Sequence, residues 1–145
     1  MNNLALQGNM PFILAVEEQM RRMTDKQIES EAKHHRIKGV YARELFIPAG
    51  TLLTGKIHNF ESIGILAQGR LRITNGTDSI VVEAPYITVD QPGIKRLGYA
   101  ETDCTFICIH RTDSETIEDM EQELVSDTFE EFELKTQHLL KGESK

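Results

Sequence analysis

The chain has 145 residues, of which 39% are hydrophobic, and carries a formal net charge of −7. This length and composition suit one domain with one core, and no apolar run is long enough to cross a bilayer. The N-terminus lacks the basic and long apolar regions of a secretory signal. We therefore expect a soluble, cytoplasmic protein without a membrane partner.

Charge is distributed unevenly along the chain. Residues 1–100 carry 12 Lys and Arg against 10 Asp and Glu, whereas residues 101–145 carry 4 against 13. The acidic tail opposes binding to duplex nucleic acid, whose phosphates are themselves negative. It leaves open a small anionic molecule in a locally basic pocket.

The first predicted element is a helix that starts at Pro11. Its apolar stripe comprises Phe12, Val16, Met20 and Met23. Thr24 with Gln27 three residues on is typical of a helix cap and predicts a second helix to about Arg36. Residues 1–38 would then form an N-terminal helical segment. These helices would pack either on the outside of the β domain or on a second subunit. The sequence does not show whether they cover a ligand-binding pocket. We favour a homo-oligomer, because a small domain gains core area by pairing.

The basic run His34-His35-Arg36-Ile37-Lys38 stands at the predicted end of the second helix. Cations near a helix C-terminus are stabilised by the helix dipole. This structural role is preferred over a metal or phosphate site.

From Gly39 the pattern changes to short strands separated by turns. The predicted strands cover residues 40–47, 51–58, 63–67, 70–74, 79–83, 86–89, 95–100 and 105–110. Asn75-Gly76 is typical of a two-residue hairpin turn, because both positions favour positive φ. Strands at this even spacing predict a mainly β sandwich or jelly roll over residues 39–111.

The C-terminal part, residues 112–145, reads as an acidic helical segment. A helix over residues 114–125 would be capped by Thr112 or Ser114. A second amphipathic helix is predicted over residues 127–140, and residues 141–145 are expected to be disordered.

The two cysteines, Cys104 and Cys108, lie in one predicted strand. At about 3.3 Å per residue they are roughly 13 Å apart, which is too far for a disulfide. Small buried hydrophobic residues are the preferred interpretation.

The stretch from Gly50 to Gly69 contains Lys56-x-His58 and then Ser62. This layout resembles the first motif of the cupin family, a Gly, a His-x-His pair, a Glu and a closing Gly. Gln91-Pro92-Gly93 followed by Arg96 resembles the family's second motif. The resemblance implies a cupin-type jelly-roll β-barrel with flanking N- and C-terminal helices.

The same resemblance implies the position of a metal site, which in the cupin family is formed by three His and one carboxylate. This chain has Lys56, His58, Ser62 and Arg96 at those positions. A protonated Lys and an Arg oppose a cation at short range, so no cofactor is expected.

An alternative metal set combines His58, Glu61 and His110, because two His and one carboxylate suit non-haem Fe, or Mn. It would imply a metal-dependent cupin enzyme, an isomerase, epimerase or dioxygenase acting on a small polar substrate.

Without a metal, the same residues predict an anion site. Lys56 and His58 share one face of a strand, and Lys95 and Arg96 enter from the second motif. Arg suits bidentate capture of phosphate or carboxylate. The predicted ligand-binding residues are Lys56, His58, Lys95, Arg96, Tyr99 and His110, with Tyr99 stacking on the ligand. The structural alternative pairs these cations with Glu44, Glu61 or Glu83.

Residues 41–58 and 92–99 also resemble small cupin-like proteins encoded by tailed bacteriophages. That resemblance implies a binding protein rather than an enzyme, holding a nucleotide or nucleotide-derived signal. Sequestration of a host defence signal, in the host cytoplasm, would follow.

Overall fold

The computed structural model describes residues 10–22, 32–74 and 77–140. The three helices there are α1 (Met10–Arg22), α2 (Ile117–Leu124) and α3 (Phe129–Leu140). The strands are β1 (Ala32–Ile37), β2 (Val40–Ile47), β3 (Leu52–Thr54), β4 (Ile57–His58), β5 (Ser62–Gln68), β6 (Arg70–Thr74), β7 (Ser79–Glu83), β8 (Tyr86–Asp90), β9 (Leu97–Ala100), β10 (Cys104–Arg111) and β11 (Val125–Ser126). Within these residues, no helix is long and apolar enough to cross a bilayer.

The strands form three antiparallel sheets. One has five strands in the order β1-β2-β10-β5-β8, and another has four in the order β3-β9-β6-β7. A short pair, β11-β4, joins the C-terminal part to the domain. The sheets do not close into a continuous barrel. The prediction of a mainly β jelly roll is confirmed.

The main core lies between the two large sheets. Ile47, Leu66 and Cys104 come from the five-stranded sheet, and Leu71 and Ile73 from the four-stranded sheet. All five are buried, because side chains alternate along a strand and one face of each sheet points inward. Neither cysteine is in a disulfide, as predicted.

The inner face of the five-stranded sheet changes character along its strands. Apolar residues from β2 and β10 pair at one end, as Leu45 does with Phe106. Toward the other end, the same register pairs Arg43 with Cys108 and Tyr41 with His110. The core therefore fills one end of the domain, and the polar half of the inner face borders a cavity at the other.

The outer face of the same sheet is also largely apolar. Ile63 on β5 and Ile87 and Val89 on β8 are 41%, 66% and 47% exposed. An apolar run such as Ser62–Gln68 thus places its aliphatic side chains on both faces.

Gly69 forms the tight turn between β5 and β6. Its φ is +97°, and a Cβ added there would lie 2.2 Å from the carbonyl oxygen of Asp103. Only glycine fits this combination of backbone angle and close approach. The Asn75-Gly76 turn lies outside the described residues, although β6 and β7 pair antiparallel on either side of it.

The first helix is present, but its buried face differs from the predicted stripe. Ile13 is fully buried, whereas Phe12 is 46% exposed. The face that packs on the domain also includes Glu17, which bonds the hydroxyl of Thr54. Met23 and the side chain of Met20 lie outside what the structure describes.

The prediction that a second helix continues to Arg36 is wrong for residues 32–37. This segment is β1, which pairs with β2 through the turn at Gly39, where φ is +85°. The His34 ring bonds the Tyr41 hydroxyl at 2.6 Å, and His35 bonds Glu44 at 2.9 Å. Pairing with a neighbouring strand overrides a weak helical pattern. The N-terminal segment is therefore not wholly helical.

Two further boundaries differ from prediction. The expected strand over residues 51–58 is interrupted at Gly55 and Lys56, which leaves β3 and β4 as separate short strands. The helix α2 is capped by Thr116, whose hydroxyl accepts from the Asp119 N–H at 3.0 Å. The predicted cap Thr112 instead bonds Glu123 at the far end of α2. The five C-terminal residues lie outside the described part of the chain.

Candidate functional site

The polar half of the inner face opens on a cavity of about 380 Å³. Its apolar wall continues the core and includes Leu45, Leu71, Ile73 and Phe106. The opposite side carries the polar residues Arg43, His58, Arg96 and His110, and the helix α2 adds Glu121 together with the apolar Met120 and Leu124. The cavity thus joins an apolar compartment to a polar one.

His58 and His110 meet at the polar end. Their ring centroids are 5.2 Å apart, at an angle of 67° between the planes. The His58 Nδ1 atom lies 2.9 Å from the Ser62 hydroxyl, and the backbone N–H of Gly93 donates to the His58 carbonyl at 2.9 Å. The structure brings together these two predicted site residues, from β4 and β10.

Both imidazoles are neutral at pH 7. Burial, followed by the nearby His110, Arg96 and Arg43, lowers the pKa of His58 to about 4. Burial and then Arg43 lower the pKa of His110 to about 4. A neutral ring carries one N–H donor and one lone pair, and for His58 the Ser62 hydroxyl already occupies Nδ1, which leaves Nε2 for the cavity.

Cys108 lies beside the two histidines, and sequence reasoning missed it. Its thiol and one ring nitrogen of each histidine all lie within 4.8 Å of one another. Burial raises the pKa of the Cys108 thiol, although Arg43 and Arg96 act in the opposite direction. The available signal was its spacing from His110, since residues two apart on a strand share a face.

Arg96 lines the cavity, but it already has an anionic partner. Its Nη2 atom is in ion-pair contact with the Asp90 carboxylate, and the two side chains are only 18% and 8% exposed. Burial lowers the pKa of Arg96. The structure therefore gives this cation the pairing role that the sequence had left as an alternative, with Asp90 in place of the three expected glutamates.

Arg43 is the second residue that sequence reasoning missed. It lines the cavity directly opposite Cys108 in the β2–β10 ladder. Among the described residues, no carboxylate lies within ion-pair distance of its guanidinium, whereas Arg96 is paired. The signal was its position between Tyr41 and Leu45 on the alternating inner face of β2.

Lys56 is among the residues that line the cavity, but it stands at the rim. Its side chain is 55% exposed, and its Nζ lies 3.4 Å from the Asp127 carboxylate. Lys56 lies in the break between β3 and β4, so strand alternation does not place its side chain, although both Lys56 and His58 line the cavity.

Lys95 points away from the cavity and holds the first helix. Its side chain is 2% exposed, and Nζ lies 2.9 Å from Glu17 Oε2 and 2.8 Å from the Gly55 carbonyl oxygen. Lys95 is not among the residues that line the cavity. Its charge is therefore used in attaching α1.

Two other predicted residues also lie elsewhere. Tyr99 is 41% exposed on β9 and is not a lining residue, so it does not reach a ligand in the cavity. Glu61 is exposed, whereas its neighbour Ser62 is buried. The carboxylate of the expected His58–Glu61–His110 set is therefore absent from the cluster, because one residue along a strand reverses the face.

The four positions that resemble the cupin metal set do not fit a cation. Lys56 pairs with Asp127 outside, Ser62 bonds His58, and Arg96 pairs with Asp90. Of the four, only His58 presents a metal-ligating group to the cavity.

Comparison with solved structures finds similar chains at low sequence identity. The chain is similar to ethanolamine utilization protein Q from Salmonella typhimurium, with a TM-score of 0.52 and 10% identity over 61% of this chain and 74% of that one. It is also similar to a cupin-2 domain protein from Shewanella frigidimarina, with a TM-score of 0.49 and 12% identity over 65% and 92%. An RmlC-like cupin from Methanocaldococcus jannaschii gives a TM-score of 0.49 and 13% identity over 61% and 84%.

No family model matches the sequence. No curated protein matches it. At these identities the likeness concerns the fold alone, and the order of the strands in the two large sheets is that of a mainly β jelly roll. A fold of this kind does not by itself fix a function.

Proposed function

We propose that the chain binds a small anionic molecule in the cavity, with the charged group of the ligand against Arg43. The supporting observation is the unpaired guanidinium. Arg43 borders the cavity without a carboxylate in reach among the described residues, whereas Arg96 is neutralised by Asp90. A partly desolvated cation without a partner is costly, and an anionic ligand removes that cost.

The remaining chemistry of the cavity suits such a ligand. A guanidinium binds carboxylate or phosphate through two parallel hydrogen bonds. His58 and His110 are neutral, so they border such a ligand without adding charge. The volume of about 380 Å³ falls in the range of about 300–1,000 Å³ that is typical of small-molecule sites.

The apolar wall of the cavity indicates what the uncharged part of the ligand contacts. Leu45, Leu71 and Ile73 form a surface that an uncharged, largely apolar group would cover. A nucleotide remains one proposed ligand class, now without the stacking expected from Tyr99. Sequestration of a nucleotide-derived signal would require the ligand to be released chemically unchanged, whereas a cleaved or isomerised product would indicate an enzyme.

The proposal is tested with matched pairs of probes. Hexanoate is compared with hexanol, and AMP with adenosine, by isothermal titration and thermal shift. We expect the charged member of at least one pair to bind and raise the melting temperature, and its neutral partner to have a much smaller effect. Mass spectrometry of small molecules released from freshly purified protein would identify the natural anion.

Arg43→Met is the decisive variant. Loss of a charge-assisted contact worth roughly 1.5–3 kcal/mol should weaken anion binding about ten- to a hundredfold. Arg72→Met is the matched control, because Arg72 lies on the surface and bonds Glu101 at 2.9 Å. Equal affinity in the Arg43 variant and the wild type, or no anion bound by the wild type, would contradict the proposal.

A further inference from the structure

Three side chains from two strands converge at the polar end of the cavity in an arrangement that suits a metal ion. One ligand atom from each of His58, Cys108 and His110 lies within 4.8 Å of the other two. A point equidistant from three atoms at that separation is about 2.8 Å from each, compared with about 2.0–2.3 Å for zinc–nitrogen and zinc–sulfur bonds. Small side-chain rotations are therefore enough to bring all three to bonding distance.

The surrounding structure holds the imidazoles in place. The Ser62 hydroxyl bonds Nδ1 of His58 and leaves Nε2 as the nitrogen available to an ion. The Tyr41 ring stacks on His110 at a centroid distance of 6.1 Å, and the Tyr41 hydroxyl is fixed by His34. Support of this kind commonly orients metal-ligating histidines.

The environment of the His110 ring also suits a metal ligand. His110 is only 6% exposed. Among the residues that the structure describes, neither of its ring nitrogens has a hydrogen-bond partner. Because His110 lines the cavity, the lone pair of its neutral ring is accessible to a metal ion there.

The nearby charges do not prevent binding. Arg96 is paired with Asp90, and Glu121 also lines the cavity. Arg43 is the register partner of Cys108, and the negative charge of a Cys108 thiolate would reduce the repulsion between this guanidinium and a bound ion. The nitrogen and sulfur ligands select zinc-like ions over magnesium, calcium or manganese.

We infer that His58, Cys108 and His110 form a site for a divalent transition-metal ion of the zinc type, with a fourth coordination position open to the cavity. These three residues differ from the positions of the cupin metal motif, with which they share only His58. Three protein ligands and one open position are the arrangement of zinc sites that exchange a ligand. The inference does not rest on the anion proposal, because it requires no contact with Arg43.

Cobalt is the probe, because its spectrum reports on the ligands. Metal-free wild-type protein is titrated with Co²⁺ and then with Zn²⁺ in competition. We expect one equivalent of Co²⁺ to bind, with a thiolate-to-cobalt charge-transfer band in the near ultraviolet and intense visible bands of a four-coordinate ion. Zn²⁺ should remove both.

The variants separate this site from adventitious binding. Cys108→Ser should abolish the charge-transfer band and weaken Co²⁺ binding at least about a hundredfold, since one of only three protein ligands is lost. His110→Gln should weaken binding similarly but leave the sulfur band detectable at high Co²⁺. Cys104→Ser is the matched control, because its thiol bonds the Arg70 and Thr102 carbonyl oxygens instead. It should bind Co²⁺ like the wild type.

Circular dichroism of each metal-free variant shows whether it is folded. If one of the two ligand variants, Cys108→Ser or His110→Gln, does not fold, the other still tests the site. The inference is overturned if folded wild-type protein binds no stoichiometric Co²⁺ or Zn²⁺, or if the Co²⁺ spectrum lacks the sulfur band. Unchanged binding in a folded Cys108 or His110 variant would overturn it as well. Arg43→Met distinguishes the two proposals, because it should keep the cobalt spectrum while losing anion binding.

Discussion

Replacing Lys95 by Met should destabilise the protein rather than impair a ligand site. The lysine is almost fully buried, and its ammonium group is held by Glu17 and by the Gly55 carbonyl oxygen. Without Lys95, the Glu17 carboxylate remains in a mostly buried position with less compensation. The attachment of α1 to the domain should therefore weaken.

The magnitude follows from the burial of the pair. Removing one partner of a buried ion pair typically costs about 3–5 kcal/mol. Glu17 is 17% exposed and keeps the Thr54 hydroxyl at 2.7 Å, so we expect the lower end, about 3 kcal/mol. At about 2–4 °C per kcal/mol for a domain of this size, the melting temperature should fall by about 6–12 °C.

Thermal and urea denaturation of four proteins measure this effect. The wild type, Lys95→Met, Glu17→Met and the double variant form a double-mutant cycle, in which residues in contact typically show a coupling of about 0.5–3 kcal/mol. The double variant should recover part of the stability, because no buried charge remains unpaired. Lys56→Met is the control and should change stability by less than about 0.5 kcal/mol, because its ion pair with Asp127 is exposed.

One result would refute this reasoning. If Lys95→Met melts within about 1 °C of the wild type, a shift that corresponds to well under 1 kcal/mol, and binds anionic probes more weakly, then Lys95 contacts the ligand. The role predicted from sequence would then be right, and the packing of α1 would not depend on this pair.

Two further predictions concern the frame of the cavity. Gly69→Ala should destabilise the protein by about 3 kcal/mol or more, because it adds a clash with Asp103 to an unfavourable φ. Gly50→Ala is the control, since Gly50 has φ +84° but open space around it, and it should cost only about 1–2 kcal/mol. Equal losses of stability in urea denaturation would contradict the role of the clash. Asn59→Ala should lower the free energy of unfolding by about 2–3 kcal/mol, because it leaves the buried Ser126 hydroxyl and the Glu123 carbonyl oxygen without their partner. A loss below about 1 kcal/mol in urea denaturation would mean that these hydrogen bonds do not hold the β4–β11 pair to the domain.

The site was only partly predictable from the sequence. Strand alternation correctly predicts that Cys108 and His110 share a face, and that Arg43 lies on the same face of β2 as Tyr41 and Leu45. The sequence does not reveal that these faces border a cavity. Cys108 was therefore interpreted as core, and Arg43 as one more charged residue in a strand.

Patterns between near neighbours determined most of the fold. Alternation and turn residues predicted most of the strands from Val40 onward, the first helix and the two C-terminal helices. These features depend on backbone preference and on side-chain period, which residues a few positions apart already express.

Tertiary structure decided which partner each polar residue meets. Lys95 and Glu17 are far apart in the sequence, and so are Ser126 and Asn59, yet both pairs are in direct contact. Residues 32–37 become a strand because β2 offers an open edge, against a weak local preference. Burial and pairing depend on the packing of distant segments, and no local pattern records them.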